Sequence, residues 1–132
     1  MNRHERAQAY MAFLADEGFR PTLDADGDVV FKVEGYMYYI SIEEDEEFFR
    51  LIFPNFWPLE TEVERTRAEA IALRLTSRMK VVKVLPTERG VLATIEMFSP
   101  TPDSVFPIFQ RSIQAIQGAV RAFVEEMRRA PH

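Results

Sequence analysis

Proton transfer near neutral pH is usually the work of histidine. This chain has two, His4 and His132, each within a few residues of an end of the sequence, and a catalytic dyad built on them is not expected. The five serines are Ser41, Ser77, Ser99, Ser104 and Ser112. None stands in a Gly-x-Ser-x-Gly turn, the strained elbow that presents a nucleophile. Zero cysteines remove thiol catalysis, disulfide frameworks and zinc ribbons together. The five glycines are spread singly and make no phosphate-cradling loop. The residues therefore predict a protein that is not an enzyme and that carries neither a metal nor an organic cofactor.

Carboxylates and aromatics are the remaining groups that could bind something. Asp24-x-Asp26-Gly27-Asp28 has the density of a calcium loop, yet an EF-hand needs its glycine at the sixth position and a bidentate Glu at the twelfth, and Gly27 and Gly35 do not fit those offsets. The run Glu43-Glu44-Asp45-Glu46-Glu47 reads as a solvated turn between strands that discourages edge aggregation. Phe56-Trp57-Pro58 follows a proline in a predicted loop, where large rings serve as partner-binding anchors; Phe56 and Trp57 are the candidate partner-binding residues. A pocket lined by Tyr36, Tyr38 and Phe49 would instead serve a small-ligand-binding protein or an unrecognised enzyme, the alternative reading. A stacking platform for single-stranded nucleic acid would want interleaved cations, and Lys32 with Arg50 offers little.

Elements must position any such surface. With 132 residues, 47% of them hydrophobic and 12% aromatic, the chain is long and apolar enough for one domain with a core, read over residues 1–132. A formal net charge of −5 and an isoelectric point near 5.1 oppose phosphate neutralisation, so nucleic acid is not expected as a direct partner. Met1 to Arg6 has no apolar run behind its charges, and no stretch approaches about eighteen apolar residues. The expectation is a cytoplasmic protein with no membrane segment.

Periodicity sets the element order. Asn2 and Glu5 predict a capping box for a first helix, with Ala7, Tyr10, Met11 and Leu14 inward and Gly18 as its stop. Asp24 to Asp28 is turn chemistry, with Leu23 leading in. Three strands follow: Val29 onward, Tyr36 to Ile42 after a Glu34-Gly35 turn, and Phe48 to Phe53, ended by Pro54. Thr61 and Glu64 predict a second capping box, and the helix it opens runs to about Met79 with Ala68, Ile71, Ala72, Leu75 and Met79 on one stripe. Val81–Leu85 and Val91–Phe98 read as strands joined at Glu88-Arg89-Gly90.

The last segment is the most regular. Phe106, Phe109, Ile113, Ile116, Val120, Phe123 and Met127 recur at alternating three- and four-residue spacing, which predicts a helix from about Ser104 to Arg129 with Ser104 as N-cap and Pro107 at N3. At 1.5 Å per residue that helix would be about 39 Å long, so its seam would need the sheet or partly a second subunit to cover it.

This order of helix, three strands, helix, two strands, helix resembles the YbjN-like family, which shares its fold with the type III secretion chaperones. The likeness rests on Asp26-Gly27-Asp28-Val29-Val30-Phe31-Lys32-Val33-Glu34-Gly35, on Phe49-Arg50-Leu51 leading to Trp57-Pro58, and on Lys80-Val81-Val82-Lys83-Val84. These are structural signatures without a catalytic constellation. The resemblance implies a homodimeric α+β protein that binds other polypeptides without ATP, in a family with links to stress response. The expected protein is a non-enzymatic, chaperone-like module acting as a homodimer on a client polypeptide; the resemblance carries over the mode of binding, while the residues themselves suggest Phe56 and Trp57 for the partner-binding surface and Ile71, Leu75 and Met79 for the dimer.

Overall fold

The computed structural model describes residues 1–43 and 47–129; Glu44, Asp45 and Glu46 of the acidic run, and His132, lie outside them. In chain order the elements are α1 (Arg3–Asp16), β1 (Thr22–Leu23), β2 (Val29–Val33), β3 (Tyr36–Ile40), β4 (Phe48–Trp57), α2 (Glu62–Arg78), β5 (Val82–Pro86), β6 (Val91–Phe98) and α3 (Phe109–Arg128). The strands form a six-stranded antiparallel sheet in the order β1-β2-β3-β4-β6-β5. The expected α+β class is found, with β1 as an addition, since two residues are too few to display alternation. The chain forms two compact units, Met1–Ile52 with Glu96–Gln110, and Phe53–Ile95 with the chain from Arg111 onward.

In the first unit, α1 opens on the predicted capping box. Asn2 Oδ1 accepts from the Glu5 N–H at 2.8 Å, and Glu5 Oε1 accepts from the Asn2 N–H at 3.1 Å. The helix closes as a Schellman motif: the Phe19 N–H bonds Leu14 O at 2.9 Å and the Gly18 N–H bonds Ala15 O at 3.1 Å. Gly18 takes the positive φ of 94° that this ending requires. Tyr10 and Leu14 face a core of rings in which Phe109 meets Phe13 edge-on at 5.4 Å, Phe31 at 5.7 Å and Phe49 at 6.5 Å. Arg6, 5% exposed, spreads its guanidinium over three carbonyl oxygens, those of Ser99 and Pro100 at 3.0 Å and of Phe48 at 3.4 Å.

Before α3 the sequence expectation needs correction. Ser104 does not cap the helix, because its hydroxyl donates to Thr101 O at 2.8 Å and pairs with Ser99 Oγ at 2.8 Å. Two 3₁₀ turns, Pro102–Ser104 and Phe106–Ile108, take up the segment, and the α-helix begins at Phe109. Prolines occupy the opening positions of both turns, where the missing N–H costs nothing. With 20 residues, α3 is about 30 Å long.

In the second unit, α2 buries Ala68, Ile71, Ala72 and Leu75 on the predicted stripe. Thr61 Oγ1 accepts from the Glu64 N–H at 3.1 Å, but only this half of the predicted capping box forms. The Glu64 carboxylate is drawn to the Glu60 N–H at 2.7 Å and to Trp57 Nε1 at 3.4 Å. Arg67 on α2 donates to the carbonyl oxygens of Glu126 and Arg129, satisfying the end of α3, while Arg74 pairs with the Glu126 carboxylate. β4 passes through Pro54 instead of ending there. The β3–β4 register ends at Ile52, opposite Tyr39, so Pro54 falls where no ladder bond to β3 calls for its N–H.

Candidate functional site

The edge of the sheet in the first unit is only partly closed. β1 pairs with β2 through Thr22 opposite Val30 and Leu23 opposite Val29, so among the described residues no strand covers that edge from Phe31 to Val33. Beside this stretch lies a cleft of about 550 Å³, lined by Phe19 and Arg20 of the α1–β1 connection, Thr22 of β1, and Phe31, Lys32 and Met37 of β2 and β3. Its volume is in the range of ligand clefts, roughly 300–1,000 Å³.

The chemistry of the walls is mixed. Phe31 is buried and is braced by Phe19 edge-on at 5.4 Å and by Tyr38 at 6.0 Å, whereas Met37 is exposed. Burial pushes the Tyr38 phenol up to about 12, helped by the charge of Glu34. Arg20 and Lys32 are both exposed, and among the described residues no acidic side chain lines the cleft. Unpaired strand edge, apolar floor and two cations suit an extended polypeptide, whose backbone pairs with the edge while alternate side chains enter the cleft. Sequence reading did not find this cleft. Its signal was a two-residue strand that periodicity cannot register, next to a hairpin that it can.

The candidate anchors are placed differently. Phe56 and Trp57 are the last two residues of β4 and are half-buried, where both meet Phe123 of α3 edge-on, at 5.5 and 6.1 Å. Phe56 also stacks on Phe53 at 5.7 Å. Their rings are thus committed to packing within the second unit, and the loop position expected for them is replaced by a strand. Ile71 and Leu75 are 4% and 5% exposed in the single chain, with Met79 half-buried at the end of α2, so the first two have little surface left for a second subunit. Apolar side chains that α2 does expose are Val63 at 82% and Leu73 at 70%. Of the three rings expected to line a small-ligand pocket, Tyr36 is exposed, Tyr38 stacks on Phe31, and Phe49 is buried against Tyr10 at 5.9 Å.

At the turn between β1 and β2, carboxylate oxygens of Asp24, Asp26 and Asp28 come within 4.8 Å of one another, but the geometry is that of a turn. Asp24 Oδ1 accepts from the N–H groups of Asp26 and Asp28, both at 2.9 Å, and Asp28 Oδ1 accepts from the Ile42 N–H at 2.8 Å. Arg3 already supplies a cation, bonding Asp26 O and lying 3.7 Å from Asp28 Oδ1. Burial pushes the Asp28 carboxyl above its usual range, against the pull of the Ile42 N–H and Arg3. A second apolar feature is the stacked pair of Phe48 and Phe98, centroids 5.1 Å apart, with Phe98 82% exposed. Beside Phe48, Arg50 and Glu96 form an ion pair at 3.4 Å.

Among the described residues no helix is long and apolar enough to cross a membrane. No model of a protein family and no curated protein matches the chain. Among solved structures, it is similar to an uncharacterized protein from Methanothermobacter thermautotrophicus at a TM-score of 0.58 and 14% identity, over 92% of this chain and 99% of that one. That likeness shows a shared fold.

Proposed function

We propose that this protein is a non-enzymatic, ATP-independent, chaperone-like module of the YbjN-like kind, acting in the cytoplasm as a homodimer that holds an extended segment of a client polypeptide, with a role in stress response. The observation that carries this reading is the stretch of β2 from Phe31 to Val33 left uncovered by β1 beside a cleft with an apolar floor. Strand addition at such an edge draws affinity from main-chain hydrogen bonds and selectivity from side-chain pockets.

A dimer along α2 would use a different stripe from the one expected. Val63, Thr66, Ala70, Leu73 and Ser77 are all exposed and recur at alternating three- and four-residue spacing. That spacing is the seam along which two helices pack, and a second copy would present the same seam.

The test is affinity capture from native extract at moderate salt after nuclease treatment, followed by hydrogen exchange on the purified complex. The expected result is one polypeptide retained near stoichiometrically on a dimer, with amide exchange slowed at Phe31–Val33. A protein that retains nothing, or a retained polypeptide that protects only other segments, would overturn the reading.

A further inference from the structure

The cleft beside β2 carries a charge that the chain as a whole does not. In a molecule of net charge −5, its lining includes Arg20 on the α1–β1 connection and Lys32 on β2 and, among the described residues, no carboxylate. Both side chains are exposed, with no ion pair to a described residue, so an arriving ligand need not displace an internal partner. Lys32 lies on the stretch of β2 that β1 leaves uncovered, and Arg20 lines the same cleft. Met37 is the cross-strand partner of Lys32 and shares its face, so an added strand would turn alternate side chains toward that cation and that thioether.

We infer that the occupant of this cleft is an acidic extended segment of another polypeptide, seated as a strand on the free edge of β2, with its carboxylates toward Arg20 and Lys32 and apolar side chains toward Met37. This rests on the polypeptide-binding reading and adds to it the charge of the segment. The acidic character of the rest of the chain sharpens the choice, because a basic segment would be attracted to many other surfaces but repelled here.

The test uses the full chain and three fluorescent peptides that alternate Val and Thr, carrying at matched positions Glu, Gln or Lys, together with a Glu peptide N-methylated at alternate residues. The Glu peptide is expected to bind about tenfold more tightly than the Lys peptide at low salt, the amount two exposed ion pairs supply. That preference is expected to shrink with added salt. Arg20→Glu/Lys32→Glu is expected to reverse the order, Arg20→Gln/Lys32→Gln to level it, and N-methylation to abolish binding by blocking the edge.

Equal binding of all three unmethylated peptides would sink the charge assignment and leave the polypeptide reading standing. Binding of none of them would overturn both. If inorganic phosphate or free glutamate displaces the Glu peptide at equal concentration, the cleft is a small-anion site and the strand assignment is wrong. If the charge-reversed protein changes its mass by light scattering, the occupant is a second copy of this chain instead.

Discussion

The carbonyl oxygen of Trp57 occupies the place where a side chain at Gly90 would begin: a Cβ there would stand 2.7 Å from that oxygen. Gly90 also has φ of +144°, outside the regions open to other residues. The turn that joins β5 to β6 therefore lies backbone to backbone against the end of β4, with Thr87 and Gly90 closing it through a 2.7 Å bond. Gly90→Ala is expected to cost about 2–4 kcal/mol, combining backbone strain with a clash against main chain that cannot swing away. Gly118 is the internal control. It lies within α3 with open space around its missing Cβ, so Gly118→Ala is expected to stabilise by about 0.5–1 kcal/mol. Urea midpoints of the two variants, at unchanged slope, check both signs.

Arg6 is predicted to be structural. A guanidinium that donates to three carbonyl oxygens while 5% exposed uses the planar fork that an ammonium lacks. Arg6→Lys is expected to lose about 2–3 kcal/mol, since one compact donor cannot serve Phe48, Ser99 and Pro100 together. Arg6→Met would leave all three without it and is expected to lose more. Chemical denaturation ranks the two, and equal losses would mean that the side chain acts only by its volume.

Val81 is a β-branched residue at φ +64°, held in a three-residue turn whose closing bond runs from the Val82 N–H to Lys80 O at 2.8 Å. Such turns are strained for any side chain and most for a branched one. Val81 is exposed and gains little from burial, so Val81→Gly and Val81→Asn are both expected to raise stability by about 1 kcal/mol. A lower melting temperature in both variants would show that its methyl groups pack against something that outweighs the strain.

Tyr38 gives the alkaline limb of the stability curve a named source. Its phenol is raised by burial, and by Glu34, to about 12, above its ordinary value near 10. The folded state therefore holds this proton more firmly than the unfolded chain. The contribution is fully present below about pH 10 and is lost as pH rises through about 12. Tyr38→Phe, which has no proton to lose, is expected to show a shallower fall over that interval, read from denaturant midpoints at a series of pH values. An unchanged slope would assign the alkaline loss to other groups.

How far the sequence led depends on what each element needed from its neighbours. The α1 capping box, the Gly18 stop, the Glu34-Gly35 turn and the buried stripe of α2 are local rules obeyed locally. Each was legible because its partner lies within a few residues. Ser104 failed as a cap because Thr101 O claimed its hydroxyl, and half of the Thr61–Glu64 box failed because Trp57 and the Glu60 N–H drew off the carboxylate. Those competitions are decided by three-dimensional proximity. The same is true of the site: Phe56 and Trp57 read as loop anchors because the proline before them suggests an end, yet β4 continues and Phe123 receives both rings. Arg20 and Lys32 carry no pattern in sequence, twelve positions apart, and only the β1–β2 turn brings them to one cleft.

The α2 seam carries the last prediction. Ile71 and Leu75 belong to the core of their unit, so a charge at either would unfold it before it could inform on assembly. Leu73 is 70% exposed, and Leu73→Glu places a carboxylate where nothing in the single chain is displaced. If two copies meet along Val63, Ala70 and Leu73, the substitution puts two like charges near the middle of an antiparallel helix pair, at a cost of several kcal/mol to association. The expected outcome is a folded monomer by light scattering, with circular dichroism and urea midpoint close to those of the parent. Leu73→Met, which keeps the apolar contact, is expected to remain a dimer. A Leu73→Glu protein that stays dimeric at micromolar concentration would remove α2 from the interface and turn attention to the exposed pair of Phe48 and Phe98 as the apolar surface that a second copy covers.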